Sequence, residues 1–238
     1  IMSVFNSFPP KINQSHLVDW LKKNYSFLSK KSISLKSLNS ERDKNFLIYI
    51  NFKKKFILKV SNSKESKDFL LLQDYVLKNL KKRSSLKEYI PKISHTSIKI
   101  YKDLNNRKSY VRILGYIEGR MYASIKGNPL LEKSLGTLLG NLSRELQSLM
   151  QPSALRKFEW DPSNIKWINN EIQLFKGIKK KLIIRHLKQH EYFVTKNKKN
   201  LRYSLTHGDA NNYNLVVDDK NILGLLDYGD MIYAPTIN

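Results

Sequence analysis

His207-Gly208-Asp209-Ala210-Asn211-Asn212-Tyr213-Asn214 is the stretch whose reading decides the fold, together with Asp227-Tyr228-Gly229-Asp230 a little downstream. Between them lie Leu215-Val216-Val217, the polar turn Asp218-Asp219-Lys220-Asn221, and Ile222-Leu223-Gly224-Leu225-Leu226. Short apolar runs around such a turn read as two buried strands of a hairpin. A hairpin returns the chain to the end from which it started, so Asn214 and Asp227, which flank it, meet there. Asp209 sits on the loop that leads in. Two carboxylates and a carboxamide therefore converge at one end of a pair of strands.

That constellation suits phosphoryl transfer, which needs an acceptor for the incoming hydroxyl's proton and oxygen ligands for the magnesium that bridges nucleotide phosphates. The pattern His-Gly-Asp-x-x-x-x-Asn followed by a strand-borne Asp-Tyr-Gly-Asp resembles the aminoglycoside phosphotransferase and choline kinase group of the protein-kinase-like fold. Within it, the wording of residues 208–214 and 227–231 is most similar to the hydroxylysine kinase branch, which also occurs fused in front of pyridoxal-phosphate aminotransferase-like domains. The resemblance implies an α+β, two-lobed fold with Asp209 as catalytic base, Asn214 and Asp227 as ligands of Mg2+, and GTP or ATP as phosphoryl donor. It also implies an acceptor hydroxyl on an amino acid or amino alcohol, 5-hydroxylysine in the first place, with aminoglycoside, choline or homoserine kinases of the same fold as alternatives.

Composition bounds the other function classes. The 238 residues carry a formal charge of +23, which is the usual electrostatic footprint of nucleic-acid binding. Yet the lysines are spread along the chain in runs at 53–55, 179–181 and 196–199, the pattern of solvated faces, and Lys, Asn, Ile and Ser are abundant together, as AT-rich codons produce. A nucleic-acid module would gather basic and aromatic residues on one face, whereas this sequence gathers acids and Asn at one loop pair. A noncatalytic domain of the same fold would tolerate change at Asp209, Asn214 or Asp227, and all are present. No cysteine occurs, so disulfides and thiolate metal sites are excluded and a cytoplasmic setting fits. No run reaches the roughly 18 apolar residues of a membrane span, so no membrane partner is expected.

Upstream, the chain opens Ile1-Met2, an unusual native start, and Leu17, Trp20, Leu21 and Phe27 are spaced for a short helix that Ser15 could cap. Residues 32–38 alternate as a strand and residues 46–50 form another, with a polar turn at 40–45 between them. In kinase-like folds this turn covers the nucleotide phosphates, a role the resemblance gives to Arg42 and Asn45. There is neither a glycine-rich G-x-G-x-x-G nor a Walker A sequence. Lys53-Lys54-Lys55 reads as a basic turn into Phe56-Ile57-Leu58-Lys59-Val60, whose alternation places Phe56, Leu58 and Val60 on one face and Ile57 and Lys59 on the other. Lys59 matches the strand lysine that holds nucleotide phosphates in kinases. A helix over 66–80 follows, and its Gln73 or Asp74 stands where a partner for Lys59 is expected.

Residues 91–101 and 109–114 read as two further strands. Val111 to Gly119 then falls at the lobe hinge, where backbone groups of Ile113 and Gly115 would meet the purine. Leu131, Leu135, Leu138, Leu139, Leu142, Leu146 and Leu149 make the apolar stripe of a long helix. Trp160-Asp161 resembles a family word with no derivable role. A second helix is expected over 172–193; its His186 and His190 are spaced to share a metal but lack the Glu of H-E-x-x-H. These pieces give a small nucleotide-binding lobe over 1–115 and a helical lobe over 116–238. In the family several helices follow the metal-binding turn, so the resemblance implies a longer protein, with a downstream catalytic domain one form of it.

Overall fold

The computed structural model describes residues 7–94 and 98–237. The opening Ile1-Met2, residues 95–97 of the expected strand, and Asn238 lie outside the described residues.

The first helix, α1 (Gln14–Asn24), is capped by Asn13, whose side chain accepts from the His16 amide. Ser15 is not the cap: it lies within the first turn and gives its hydroxyl to Asn13 Oδ1 at 2.7 Å. Asparagine caps as well as serine does and comes first in the chain. Next come β1 (Ile33–Leu38), β2 (Lys44–Ile50) and β3 (Lys53–Val60), an antiparallel meander. Asn51 and Phe52 both take positive φ, 49° and 63°, so the β2–β3 turn uses these two residues. Two left-handed residues match the twist of the flanking strands, and the lysines expected to form the turn begin the strand instead.

Helix α2 (Lys67–Leu80) starts at Ser66, whose hydroxyl accepts from Phe69 N. Then β4 (Lys99–Lys102) and β5 (Lys108–Gly115) complete a five-stranded sheet of order β1-β2-β3-β5-β4. The long strand expected over 91–101 is shorter, with only an isolated bridge from Ile93 to Leu114 ahead of β4. One face of the sheet, including Phe46, Ile48, Leu58, Val60, Val111 and Ile113, closes on Leu17 and Leu21 of α1. Alternation along β3 and β5 therefore turns Ile57, Lys59 and Arg112 to the other face, where they line a cleft.

Beyond the sheet, β6 (Arg120–Met121) leads to α3 (Pro129–Leu146), capped by Asn128 with proline in its first turn. The leucine stripe forms as expected, with Leu131, Leu138, Leu142 and Leu146 buried. They share a core with α2 (Phe69, Leu72, Val76, Leu77 and Leu80), so α2 packs on the helical part of the chain rather than on the α1 core. A one-turn α4 (Ile168–Glu171) precedes α5 (Gly177–His190). The single helix expected over 172–193 is interrupted, because Phe175 and Lys176 are extended and Gly177 has φ 56°. Phe175, Ile178 and Leu182, aligned in sequence, are consequently all exposed. Finally β7 (Tyr203–Thr206), β8 (Leu215–Val217), β9 (Ile222–Leu225) and β10 (Ile232–Pro235) form two small antiparallel sheets, β10-β7 and β6-β8-β9. Among the described residues no helix is long and apolar enough to cross a membrane.

Candidate active site

The β8–β9 hairpin does what its sequence requires: the Leu226 amide donates to the Asn214 carbonyl at 2.8 Å, so Asn214 and Asp227 leave the hairpin side by side. The loop that feeds it is fixed from beneath. Gly208 has φ 80°, and an added Cβ would collide with the Asp230 carbonyl, so glycine alone fits both the conformation and the space. His207 is buried, with Nε2 3.0 Å from the Leu226 carbonyl and Nδ1 accepting from the Asp209 amide at 3.2 Å. Those partners require a neutral ring protonated at Nε2. Burial agrees with this, because it pushes the His207 pKa down to about 4. His207 thus ties the Asp209 loop to the start of the Asp227 turn, a positioning role that its place in the motif did not reveal.

Asp209 is held at both oxygens. Asn214 Nδ2 donates to Oδ2 at 2.7 Å and Asn211 Nδ2 to Oδ1 at 2.5 Å. Asn214 Nδ2 also reaches the Asp209 carbonyl at 2.9 Å, which turns the carboxamide so that Oδ1 is its remaining acceptor. Burial raises the Asp209 pKa above the ordinary value and the charge of Asp230 adds to the rise, while the two carboxamides oppose it. The product is an oriented carboxylate of enhanced proton affinity.

Asp227 adopts a left-handed conformation, φ 52°, and its Oδ1 accepts from the Gly229 amide at 3.2 Å and from Lys59 Nζ at 2.8 Å. The Lys59 charge holds Asp227 well below the usual carboxylate range. Lys59, Asp209, Asn214 and Asp227, together with Arg42, Asn45 and Gly115, line one cleft of ≈ 640 Å³ between the sheet and the helical part of the chain. Hard oxygens at Asn214 Oδ1 and Asp227 are of the kind magnesium takes. No group of three or more His, Cys, Asp or Glu residues that could hold a metal occurs among the described residues. Two protein ligands nevertheless fit magnesium, which usually keeps waters and substrate phosphates for its other positions.

Three expectations meet a different arrangement. Gln73 and Asp74 do not pair with Lys59. Arg112, the cross-strand neighbour of Lys59, takes both: Nη1 lies 3.0 Å from Asp74 Oδ1 and Nη2 2.5 Å from Gln73 Oε1. The planar guanidinium presents its two Nη groups in a fixed fork, one to each acceptor, and Lys59 is left to Asp227. Both charged side chains of the Arg112–Asp74 pair are only 6% exposed. Asp74→Ala is therefore expected to cost about 3 kcal/mol of folding free energy by stranding a buried arginine, measurable by urea denaturation.

Ile113 does not face the cleft. Its side chain is buried in the α1 core and its carbonyl accepts from the Ser94 amide at 3.0 Å. Gly115 lines the cleft, but its amide donates to the Lys92 carbonyl at 2.6 Å. The backbone donors and acceptors expected to meet a purine are thus partly engaged by residues 92–94. Arg42, too, is engaged, forming a 2.5 Å ion pair with Asp230.

One residue gave no sequence signal at all. Arg156 donates to the carbonyls of Gly229 (2.9 Å) and Met231 (3.2 Å), with its guanidinium carbon 3.7 Å from the centre of the Phe69 ring. Its pKa is lowered to about 10 by burial. It buttresses the Asp227 turn against α2.

A model of a phosphotransferase enzyme family, APH, matches residues 34–237. Among curated proteins, the hydroxylysine kinase of Xenopus laevis is 25% identical over 144 residues, which are 54% of this chain and 38% of that protein. The hydroxylysine kinase of Mus musculus is 25% identical over 142 residues, 53% of this chain and 38% of the relative. The chain thus spans well under half the length of the curated relatives it matches. Among solved structures, a microcompartment-associated aminopropanol kinase superposes with a TM-score of 0.69 at 16% identity, over 93% of this chain and 71% of that one. The amicoumacin kinase hAmiN, in complex with AMP-PNP, Ca2+ and Ami, gives 0.64 at 15% identity, over 93% and 69%. The shared fold is the two-lobed α+β fold of the protein-kinase-like phosphotransferases.

Proposed function

The chain belongs to the phosphotransferase enzyme family, and from that premise we propose that it transfers the γ-phosphoryl group of GTP or ATP to a hydroxyl of an amino acid or amino alcohol, 5-hydroxylysine in the first place. The observation that carries this reading is the Asp209 carboxylate, clamped by Asn211 and Asn214 and facing the cleft that also holds the Lys59–Asp227 pair. In this reading Asp209 orients the acceptor hydroxyl and takes its proton as the new O–P bond forms and the bond from the γ-phosphorus to the β–γ bridging oxygen breaks, releasing the nucleoside diphosphate, and Lys59 leaves Asp227 to hold the nucleotide phosphates. Asn214 and Asp227 would hold Mg2+, which when bound neutralises phosphate charge. Ile57, Leu114 and Leu226 supply apolar walls for the base.

The identification with 5-hydroxylysine rests on the likeness to hydroxylysine kinases. A second reading, an amino alcohol as acceptor, is favoured by the likeness to an aminopropanol kinase. The basic runs at 179–181 and 196–199 do not line the cleft, which leaves the positive charge outside the proposed chemistry. The absence of cysteine fits a cytoplasmic setting.

The test is phosphoryl transfer by the intact protein, assayed with ATP and GTP against 5-hydroxylysine, aminopropanol, choline, homoserine and an aminoglycoside. The expected result is the highest kcat/KM for 5-hydroxylysine. A higher value for an amino alcohol moves the assignment to the second reading, and no transfer to any acceptor overturns both.

A further inference from the structure

Three residues far apart in sequence meet across the two parts of the fold. Arg42, on the loop between β1 and β2, places Nη2 2.5 Å from Asp230 Oδ1 and its guanidinium carbon 5.5 Å from the centre of the Trp160 ring. The Asp230 side chain is 4% exposed and that of Arg42 23%, so the ion pair is largely withdrawn from water. The backbone beneath Arg42 is fixed independently. Buried Asn62 donates from Nδ2 to the Arg42 carbonyl at 3.2 Å, and the Asn62 amide donates to Asp43 Oδ1 at 2.9 Å. Arg42, Trp160 and Asp230 all line the cleft, and Arg42 lies near enough to Asp227 to be influenced by its charge.

The loop has no glycine among residues 39–43, so it lacks the freedom to wrap phosphates with successive backbone N–H groups. What it can bring to an anion is a side-chain cation, and a long arginine side chain is useful only if its many rotamers are restricted beforehand. Asp230 fixes one edge of the guanidinium and Trp160 one face. We propose that Trp160 and Asp230 are positioning residues for the nucleotide, holding Arg42 at the triphosphate end of the cleft so that the loop of the small lobe and the Asp227 turn present one preformed anion-binding surface. The inference rests on the phosphotransferase reading above and gives Trp160 a role that sequence could not.

The test compares binding of AMP-PNP or GMP-PNP, whichever the unmodified protein takes, with that of the corresponding nucleoside monophosphate, by calorimetry on the intact protein. Trp160 is 52% exposed, so its replacement leaves the core intact. Trp160→Leu is expected to weaken the triphosphate analogue by about tenfold, the scale of a partly desolvated cation–π contact, and to leave the monophosphate unchanged. Trp160→Phe, which keeps an aromatic face, is expected to restore most of the loss. Equal weakening of triphosphate and monophosphate, or no weakening, overturns the positioning role while leaving the phosphotransferase reading in place. An unmodified protein that binds neither nucleotide overturns that reading and the positioning role with it.

Discussion

Asp209→Asn is expected to cut phosphoryl transfer by at least about a hundredfold, the lower end of what a positioned general base contributes, while nucleotide binding survives. The substitution is nearly isosteric, yet it changes two things at once. It removes the charge and proton acceptor, and it replaces one of two carboxylate oxygens, each of which accepts a carboxamide N–H from Asn211 or Asn214, with a donor. The Asn214 side chain keeps its 2.9 Å bond to the residue 209 carbonyl, so the proposed metal ligand stays in place and the loss is confined to the chemical step. The pH profile separates this from general damage. Burial and Asp230 raise the Asp209 pKa, so the active, deprotonated base accumulates as pH rises through that raised value. Activity of the unmodified protein should fall on the acid side over a range displaced upward from an ordinary aspartate, and residual activity of the Asn variant should lack that limb. Near-normal turnover by the variant, with its acid limb intact, would falsify the base assignment.

The convergence of Asp209, Asn214 and Asp227 was legible because it is local. A hairpin brings its own flanks together, and all three residues lie within or beside one. Lys59 was legible for a related reason: period-two alternation along β3 assigns its face without knowledge of any partner. Sequence failed where a side chain had to choose a distant partner. Gln73 and Asp74 lie midway along the helix that follows the lysine strand, where a partner for Lys59 was expected, but Arg112, beside Lys59 on β5, reaches both. Arg156 meets the Asp227 turn only through tertiary packing, and nothing in its neighbours marks it; Trp160 stood in a recognisable word, but its contact with Arg42 is equally a product of tertiary packing. The break before α5 was hidden differently. Apolar spacing persists through Phe175 and Ile178, while extended Phe175 and Lys176 and the left-handed Gly177 break the helix that the spacing suggests, so that α5 starts only there.

Lys59→Ala should lower kcat/KM for the nucleotide by about a hundredfold or more, the scale of losing a preorganised charge in a partly desolvated site, whereas Lys54→Ala should leave it within about twofold. The two lysines lie on the same strand and carry the same formal charge, so only position separates them. Lys54 is exposed and its Nζ reaches no further than the Tyr116 hydroxyl, at 3.4 Å. Lys59 is mostly covered and lies 2.8 Å from the Asp227 carboxylate, where proposed metal and phosphates would meet. Acid stability supplies an independent readout. Lys59 depresses the folded-state pKa of Asp227, so the stability this interaction contributes is fully present above the ordinary aspartate value of about 3.9 and is lost as pH falls from there toward the depressed value. The unmodified protein should therefore exceed Lys59→Ala in stability at neutral pH, with the gap closing below about pH 4. Equal kinetic losses from Lys54→Ala and Lys59→Ala would mean that the cleft responds to net positive charge alone, and a stability gap that persists undiminished into acid would mean that Lys59 contributes by packing its aliphatic stem rather than by holding Asp227.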